Sequence, residues 1–580
     1  MTITLGSGGL VQRAAAALGV SLIAAAVGGA MPAEAASTRD VTIVNGSLRP
    51  NSYTPNPVWA VAGDTIRWTN NGPSPHTVTS VTGDTETYDS GTIAVTTTFT
   101  RPFTVPGVHH YYCSIHNPSQ SPTGMYGTTI VQGTSPLVLS AVSASSYSLP
   151  SSDGTTWNDM DVSKLQVAVS PPANQSVALR ANADLFTDTA GYNQDIGIFV
   201  NIDGAATDTP LAWKESGGFA GIYSPNAAYV QALYNMTGPG HTYVFKLKWK
   251  TNKNAPGVTI YAGAGSGTSF PTRSATSLLV ESFPVGVTPI MANKANFSSL
   301  ANSDGTTWQP MDATLSTGTL SPVSNSTELL GANADLFTDT SGYNQDLGIF
   351  VSVDSAAPTV VAWKESGGFA GTYSPNAAYV KAVYPMTGGH TYNFSLYWKT
   401  NKNAPGVTIY ASAGNGTSFP GRSPTSLLAE TVAAGANPYS ALKTNFSSLG
   451  SSSWQLVDPV LNVTVPGSDN TNALLGANAD LFTDTTGYNQ DLGIFVTDSA
   501  NPSVDTLLAW KESGGFAGTY SPNAAYLQAT LPLASGHTYV FKLKWKTNKN
   551  ATGVTIYAGA GSGGTFPSRS ETMAVAELTN

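Results

Sequence analysis

The chain has 580 residues, only 11% of them charged, and a formal net charge of −9. At about 150 residues per domain this length suggests roughly four domains. The acidic balance argues against a nucleic-acid surface, which needs a basic footprint. The 58 glycines, 36 prolines and 10% aromatics suit turn-rich, all-β extracellular modules.

Residues 1–36 read as a signal peptide. Arg13 supplies a short positive region, Ala14 to Ala30 is apolar and small, and Ala33-Glu34-Ala35 has the form of a cleavage site, which puts the cut near Ala35 or Ala36. No other stretch approaches about 18 uninterrupted apolar residues, so the mature chain is not expected to span a membrane. It is expected to be secreted, periplasmic or held at the cell surface. Export sharpens the question of Cys113, the only cysteine. A secreted protein that uses cysteine structurally tends to carry an even number. Cys113 is therefore an intermolecular bridge, an inert buried thiol or a metal ligand.

From Thr38 to about Gly133 the text alternates like short strands. Asp40 to Val44, Trp59 to Val61, Thr65 to Thr69, His76 to Ser80, Thr96 to Phe103, Val108 to Tyr112 and Thr128 to Val131 are separated by turn signals such as Ala62-Gly63-Asp64, Asn70 to Pro73 and Pro106-Gly107. This pattern predicts a small β-sandwich over 37–134. Tyr111-Tyr112-Cys113-Ser114-Ile115-His116 and Gly124-Met125-Tyr126-Gly127 put a thiolate, an imidazole and a thioether on one loop, and Pro75-His76 offers a second imidazole. That is the ligand set copper takes in electron-transfer sites. Carboxylates are missing from it, which disfavours calcium and magnesium, and zinc usually prefers four ligands without methionine.

The region resembles the cupredoxins, most of all the plastocyanin, pseudoazurin and amicyanin group. The resemblance rests on Ala62-Gly63-Asp64 before a Trp-bearing strand, Pro75-His76, Tyr88-Asp89-Ser90-Gly91, Pro106-Gly107 before Tyr-Tyr-Cys-Ser-Ile-His, and the Gly-flanked Met125. It implies a Greek-key sandwich with one copper ion. His76 and His116 would supply nitrogens, Cys113 the thiolate and Met125 a weak axial sulfur, in a carrier of single electrons served by a redox partner protein. Two departures stand out. The stretch Asn117 to Gly124 is longer than the family pattern, so it is expected to loosen the axial ligand or reshape the surface around His116. Thr77 stands where better-known members often carry Asn, and its hydroxyl is expected to hydrogen-bond the cysteine loop. His109 and His110 alternate on a strand, one facing in and one out, and are not read as ligands.

Beyond Thr134-Ser135-Pro136 the sequence repeats itself. Asn182-Ala-Asp-Leu-Phe-Thr-Asp-Thr189 recurs from Asn333 and from Asn478, spacings of 151 and 145 residues. Gly191-Tyr-Asn-Gln-Asp195, Trp213-Lys-Glu-Ser-Gly-Gly-Phe219 and Trp249-Lys-Thr-Asn-Lys-Asn254 recur with it. A period this long means tandem domains, placed at 135–286, 287–437 and 438–580. Phe245, Leu247 and Trp249 share one strand face with Lys246, Lys248 and Lys250 on the other, and Ile196, Ile198 and Val200 share a face of another strand. Each copy is therefore expected to be an antiparallel β-sandwich, with the jelly roll as one form it could take.

Three roles compete for the repeats. Aromatics beside amides suit a polysaccharide or cell-surface glycan, with Tyr192, Asn193, Gln194, Trp213, Lys214 and Glu215 as candidates, along with Tyr343, Trp363, Tyr488 and Trp510. Three weak sites in series would gain avidity. Asp184, Asp188 and Asp195 flank a turn and offer hard oxygen ligands for calcium. The third role is structural, as spacers or subunit contacts. Catalysis is not expected: His241, His390 and His537 sit in turns with no nucleophile elbow or zinc-type pair, and sequence spacing does not place Glu215 and Asp195, the carboxylates a glycosidase would use, about 5 to 10 Å apart. The alternative for the whole chain is an adhesion or surface-layer protein whose copper site is structural or sequestering.

Overall fold

A computed structural model describes residues 36–44, 52–216, 222–265, 273–367, 372–414, 422–432, 438–444, 447–514, 519–561 and 570–580. The expected signal peptide lies outside the described residues, apart from its last position. The fold is all-β: no α-helix forms among the described residues, and so none is long and apolar enough to cross a membrane.

The first sandwich is built from eight strands: β1 (Thr38–Ile43), β2 (Tyr53–Thr54), β3 (Val58–Val61), β4 (Thr65–Asn70), β5 (Thr79–Ser80), β6 (Thr98–Pro102), β7 (Gly107–Tyr112) and β8 (Tyr126–Gln132). One sheet runs β2-β1-β4-β6 and the other β3-β8-β7-β5, with β1/β4 and β3/β8 parallel. Alternation decides which side chains go inside. Ile66 and Trp68 of β4 point in while Arg67 points out to Asp40. Trp68 is the hub, with Phe99 at 5.7 Å and Tyr111 edge-on at 5.4 Å between ring centroids. Gly127 is required here, because a Cβ would sit 2.2 Å from the Tyr111 ring.

Each repeat is a two-sheet sandwich. In the first, Gln175–Thr187 is the central strand of one sheet and pairs with Asn226–Met236, Thr259–Ala262 and Thr276–Ser282. Gln194–Ile202 lies between Thr209–Ser216 and Tyr243–Thr251 in the other. The expected faces form the core: Ile196, Ile198 and Val200 pack with Phe245, Leu247 and Trp249. On the opposite face Lys250 is buried.

The three copies close into a ring. Gln175–Thr187 is buried along its whole length, because Val177, Leu179, Ala181, Ala183 and Leu185 face their own core while the residues between them face other copies. Asn182 donates to the Tyr526 carbonyl, Asn333 to that of Tyr229 and Asn478 to that of Tyr379, at 3.0, 3.1 and 3.1 Å. Asp184 accepts the Glu512 amide at 3.1 Å, and Asp335 and Asp480 accept those of Glu215 and Glu365. The Asn-Ala-Asp repeat is thus a docking motif between copies. At the centre Tyr229, Tyr379 and Tyr526 meet with ring centroids 4.1, 4.7 and 4.5 Å apart.

Around them the ring breaks its own symmetry. Glu281, Glu430 and Glu577, one from each copy, crowd together in the interior. Arg180 binds Glu281 and Glu430, whereas the corresponding positions are Gly331 and Gly476, where a Cβ would meet a tyrosine hydroxyl at 2.5 Å. The crowded axis leaves little room for a side chain at the other two positions, and a single chain, unlike a homotrimer, can place one arginine there.

Candidate metal centre

His76 leaves β4 through Asn70 to Pro75 and is held from both sides of its backbone. Its N–H donates to the Ile93 carbonyl at 3.2 Å, and its carbonyl accepts the Ile93 N–H at 2.7 Å. The Asp89-Ser90-Gly91 motif fastens the same segment: Ser90 Oγ accepts the Val78 N–H at 2.8 Å, and Thr79 donates to Asp89 at 3.0 Å. Cys113 follows β7, and its N–H donates to the Met125 carbonyl at 3.1 Å.

The side chains converge. Cys113 Sγ lies 3.8 Å from His76 Nδ1 and 3.3 Å from His116 Nδ1. Ligands 2.0 and 2.3 Å from a shared ion at trigonal angles would be about 3.7 Å apart, so the spacing fits three donors around one metal. Cys113 and His76 are fully buried and His116 is half-buried. Burial, then the neighbouring His116, pushes the His76 imidazole below its ordinary value, toward the neutral form that binds metal. These three residues could hold a metal ion. Met125 is buried in the same core cluster as Cys113.

Thr77 meets its expectation. Its hydroxyl accepts the Ser114 N–H at 2.7 Å, and its own N–H points to Cys113 Sγ at 3.3 Å. The long Asn117–Gly124 stretch is not loose. Asn117 knits it by donating to the Ser121 carbonyl at 2.9 Å and accepting the Ser121 N–H at 3.1 Å. Gly124 lies so close that a Cβ would touch the Asn117 amide at 2.6 Å. Gln120 then ties the loop to Thr82 at 3.0 Å. Sequence reading missed Asn117, although the Asn-Pro pair marked a turn start. His109 is buried, with Nδ1 2.8 Å from Asp84 and Nε2 2.8 Å from the Val105 carbonyl, and is a structural imidazole. His110 is half-buried beside Thr128.

The repeat candidates fall differently. Trp213, Trp363 and Trp510 are buried, as are Asn193 and Gln194, so they offer no face to a sugar. Lys214 is buried too, donating to the Pro424 carbonyl of the next copy. Glu215 is clamped by Asn193 and Asn252 at 3.0 and 3.1 Å. Tyr192, Tyr343 and Tyr488 are half-covered, each with a lysine over its ring at 4.7, 4.6 and 4.6 Å. The calcium set does not assemble: Asp184 is spent on the Glu512 amide, Asp195 on Lys250, and Asp188 on the Thr259 amide. Tyr223, Tyr373 and Tyr520 are exposed, each at φ 53°, a conformation that bulky residues rarely adopt. Tyr373, Phe337, Tyr410 and Arg422 line a cavity of about 320 Å³ with Glu215 and Asn252 of the preceding copy. Nothing in the local text marks these tyrosines, because the cleft forms only between copies.

No protein-family model matches the chain, and no curated protein matches it. Among solved structures it is similar to a purple cupredoxin from Nitrosopumilus maritimus, at 25% identity over 16% of this chain and 98% of that one with a TM-score of 0.14. It is also similar to oxidised plastocyanin from Dryopteris crassirhizoma, at 18% identity over 16% and 100% with a TM-score of 0.14. An oxidised amicyanin variant matches at 22% identity over 16% and 82%, again with a TM-score of 0.14. These are weak likenesses confined to a small part of the chain.

Proposed function

We propose that the chain is an exported type 1 copper protein that carries single electrons, with His76, Cys113, His116 and Met125 as ligands. The observation that carries this reading is the convergence of two imidazole Nδ1 atoms on a lone buried sulfur. His76, Cys113, His116 and Met125 would hold the copper, which would supply a one-electron couple. The chain's own residues would do the rest. The Thr77 N–H donates toward the sulfur and fixes its position. Asn117 and Thr77 hold the loop so that it changes little between oxidation states. The half-buried His116 supplies the edge a redox partner would approach. Copper titration of the purified chain tests this: stoichiometric uptake with reversible one-electron reduction is expected, and no uptake would refute it.

In this reading the units are 37–134 for copper and 135–286, 287–437 and 438–580 for attachment and spacing, outside the cytoplasm. The repeats act as one closed body rather than as a string. Glycan binding by the repeats belongs to the inter-copy cleft beside the exposed Tyr373. A polysaccharide array with Tyr373→Ala as control tests that assignment, and binding unchanged in the variant would remove it.

A further inference from the structure

Each repeat buries a lysine, an aspartate and a glutamate side by side, and the copper reading uses none of them. Asp195 is directly opposite Lys250 on one neighbouring strand and Glu215 on the other. The same register joins Asp346 to Lys399 and Glu365, and Asp491 to Lys546 and Glu512. Side chains opposite one another in an antiparallel pair share a face, with Cβ atoms about 5 Å apart. Lys250 Nζ lies 2.5 Å from Asp195 Oδ2, Lys546 Nζ lies 2.5 Å from Asp491 Oδ2, and Lys399 contacts Asp346 in the same way. An indole roofs each ammonium: Trp157, Trp308 and Trp454 at 5.2, 5.0 and 5.2 Å.

As simple ion pairs these would be poorly satisfied. Asp195 Oδ1, Asp346 Oδ1 and Asp491 Oδ1 are all buried without a hydrogen-bond partner, although buried ions normally need every lone pair occupied. Burial raises Asp195 and Asp346 to about 6 and Asp491 to about 7. Burial, then the adjacent aspartate, raises Glu215 and Glu512 to about 8 and moves Glu365 well above its usual range. Low polarity therefore favours a neutral aspartic acid with a second neutral acid beside it. In each copy two asparagine amides donate to the glutamate's Oε1 (Asn193 and Asn252 in the first). That leaves the proton of the neutral form on Oε2.

We propose that each repeat closes an internal isopeptide cross-link, joining Lys250 to Asp195, Lys399 to Asp346 and Lys546 to Asp491, with Glu215, Glu365 and Glu512 as proton relays. Through the Nζ–Oδ2 contact the lysine hands its extra proton to the aspartate, and the freed Nζ attacks the aspartic acid carbon while the glutamic acid donates to its carbonyl oxygen. A C–N bond forms, the C–OH bond breaks, and the glutamate passes a proton from nitrogen to the departing hydroxyl. One water leaves and no oxidant or other reactant is needed. Holding amine and acid in contact supplies the effective concentration that makes condensation feasible. The cross-link would tie Gln194–Ile202 to Tyr243–Thr251 in a chain whose single cysteine cannot form an internal disulfide. Two other lysine–aspartate contacts serve as controls. Lys294–Asp312 and Lys443–Asp458 are 17–26% exposed, and their lysines hold Asp312 at about 2 and Asp458 below its ordinary value. They remain ion pairs.

The test is the intact mass of the purified full chain under denaturing conditions, with the N-terminus fixed by sequencing. The expected mass is three waters below that of the linear chain. Trypsin should leave the chain uncut after Lys250, and the peptide holding Asp195 should be recovered joined to it. Glu215→Gln should restore one water and cleavage after Lys250. An unreduced mass, with linear peptides ending at Lys250, Lys399 and Lys546, would overturn the proposal. That wild-type result decides even if a variant fails to fold. The readout does not depend on copper.

Discussion

Arg180→Met removes the strongest cation from the ring's axis while keeping most of the stem. Glu281, Glu430 and Glu577 face two cations there, Arg180 and Lys381. One glutamate must already be neutral, and burial pushes Glu577 well above its ordinary range. Without Arg180 a second glutamate must take up a proton on folding. Its unfolded value is about 4.3, so the cost is about 5 kcal/mol at pH 8 and about 1 kcal/mol at pH 5. The sign follows from linkage. Above about pH 4.3 the folded variant binds one proton more than the folded wild type, so the stability lost to the substitution grows as pH rises. Urea denaturation followed by tryptophan fluorescence at pH 5 and pH 8 measures both losses. Equal losses at the two values, or none at pH 8, would refute this account of the axis.

Other consequences concern the first sandwich. Burial opposes charge on His109, but Asp84 and the Val105 carbonyl outweigh it and hold the imidazolium above its ordinary value. Its contribution to stability should be complete below about pH 6.5 and vanish as pH rises through the raised folded value. An NMR titration of His109 with a midpoint at or below about 6.5 would contradict this. Thr77→Val leaves the Ser114 N–H without its acceptor and should cost about 1–3 kcal/mol. An unchanged urea midpoint would show that the contact is dispensable. Gly127→Ala drives a methyl into the Tyr111 ring and should cost about 1–3 kcal/mol, read as a lowered melting temperature. An unshifted melt would mean that the two strands separate freely there.

The candidate metal site was largely legible because its donors are local. Cys113, His116 and Met125 lie within thirteen residues of one another, and Thr77 could be judged from its place after His76. Strand faces were legible too, since alternation shows which side chains share a side. It does not show what covers that side. Lys250 is covered by Trp157 and the Gly154 carbonyl, from nearly a hundred residues upstream, which alternation does not reveal. The repeated indoles looked like sugar platforms for the same reason. Asp184 looked like a turn acid with oxygens to spare for an ion, yet it accepts an amide of another copy. A repeat period reveals duplication but not ring closure, which depends on contacts between residues as far apart as Asp184 and Glu512.

The most direct test of the electron-carrier account is metal analysis of the purified chain after copper loading and exhaustive dialysis, beside its Cys113→Ser variant. The account predicts about one copper per chain with an intense thiolate-to-copper absorption band, both absent from the variant. A folded wild-type chain that retains no copper, or a Cys113→Ser chain that retains it equally well, would contradict the account.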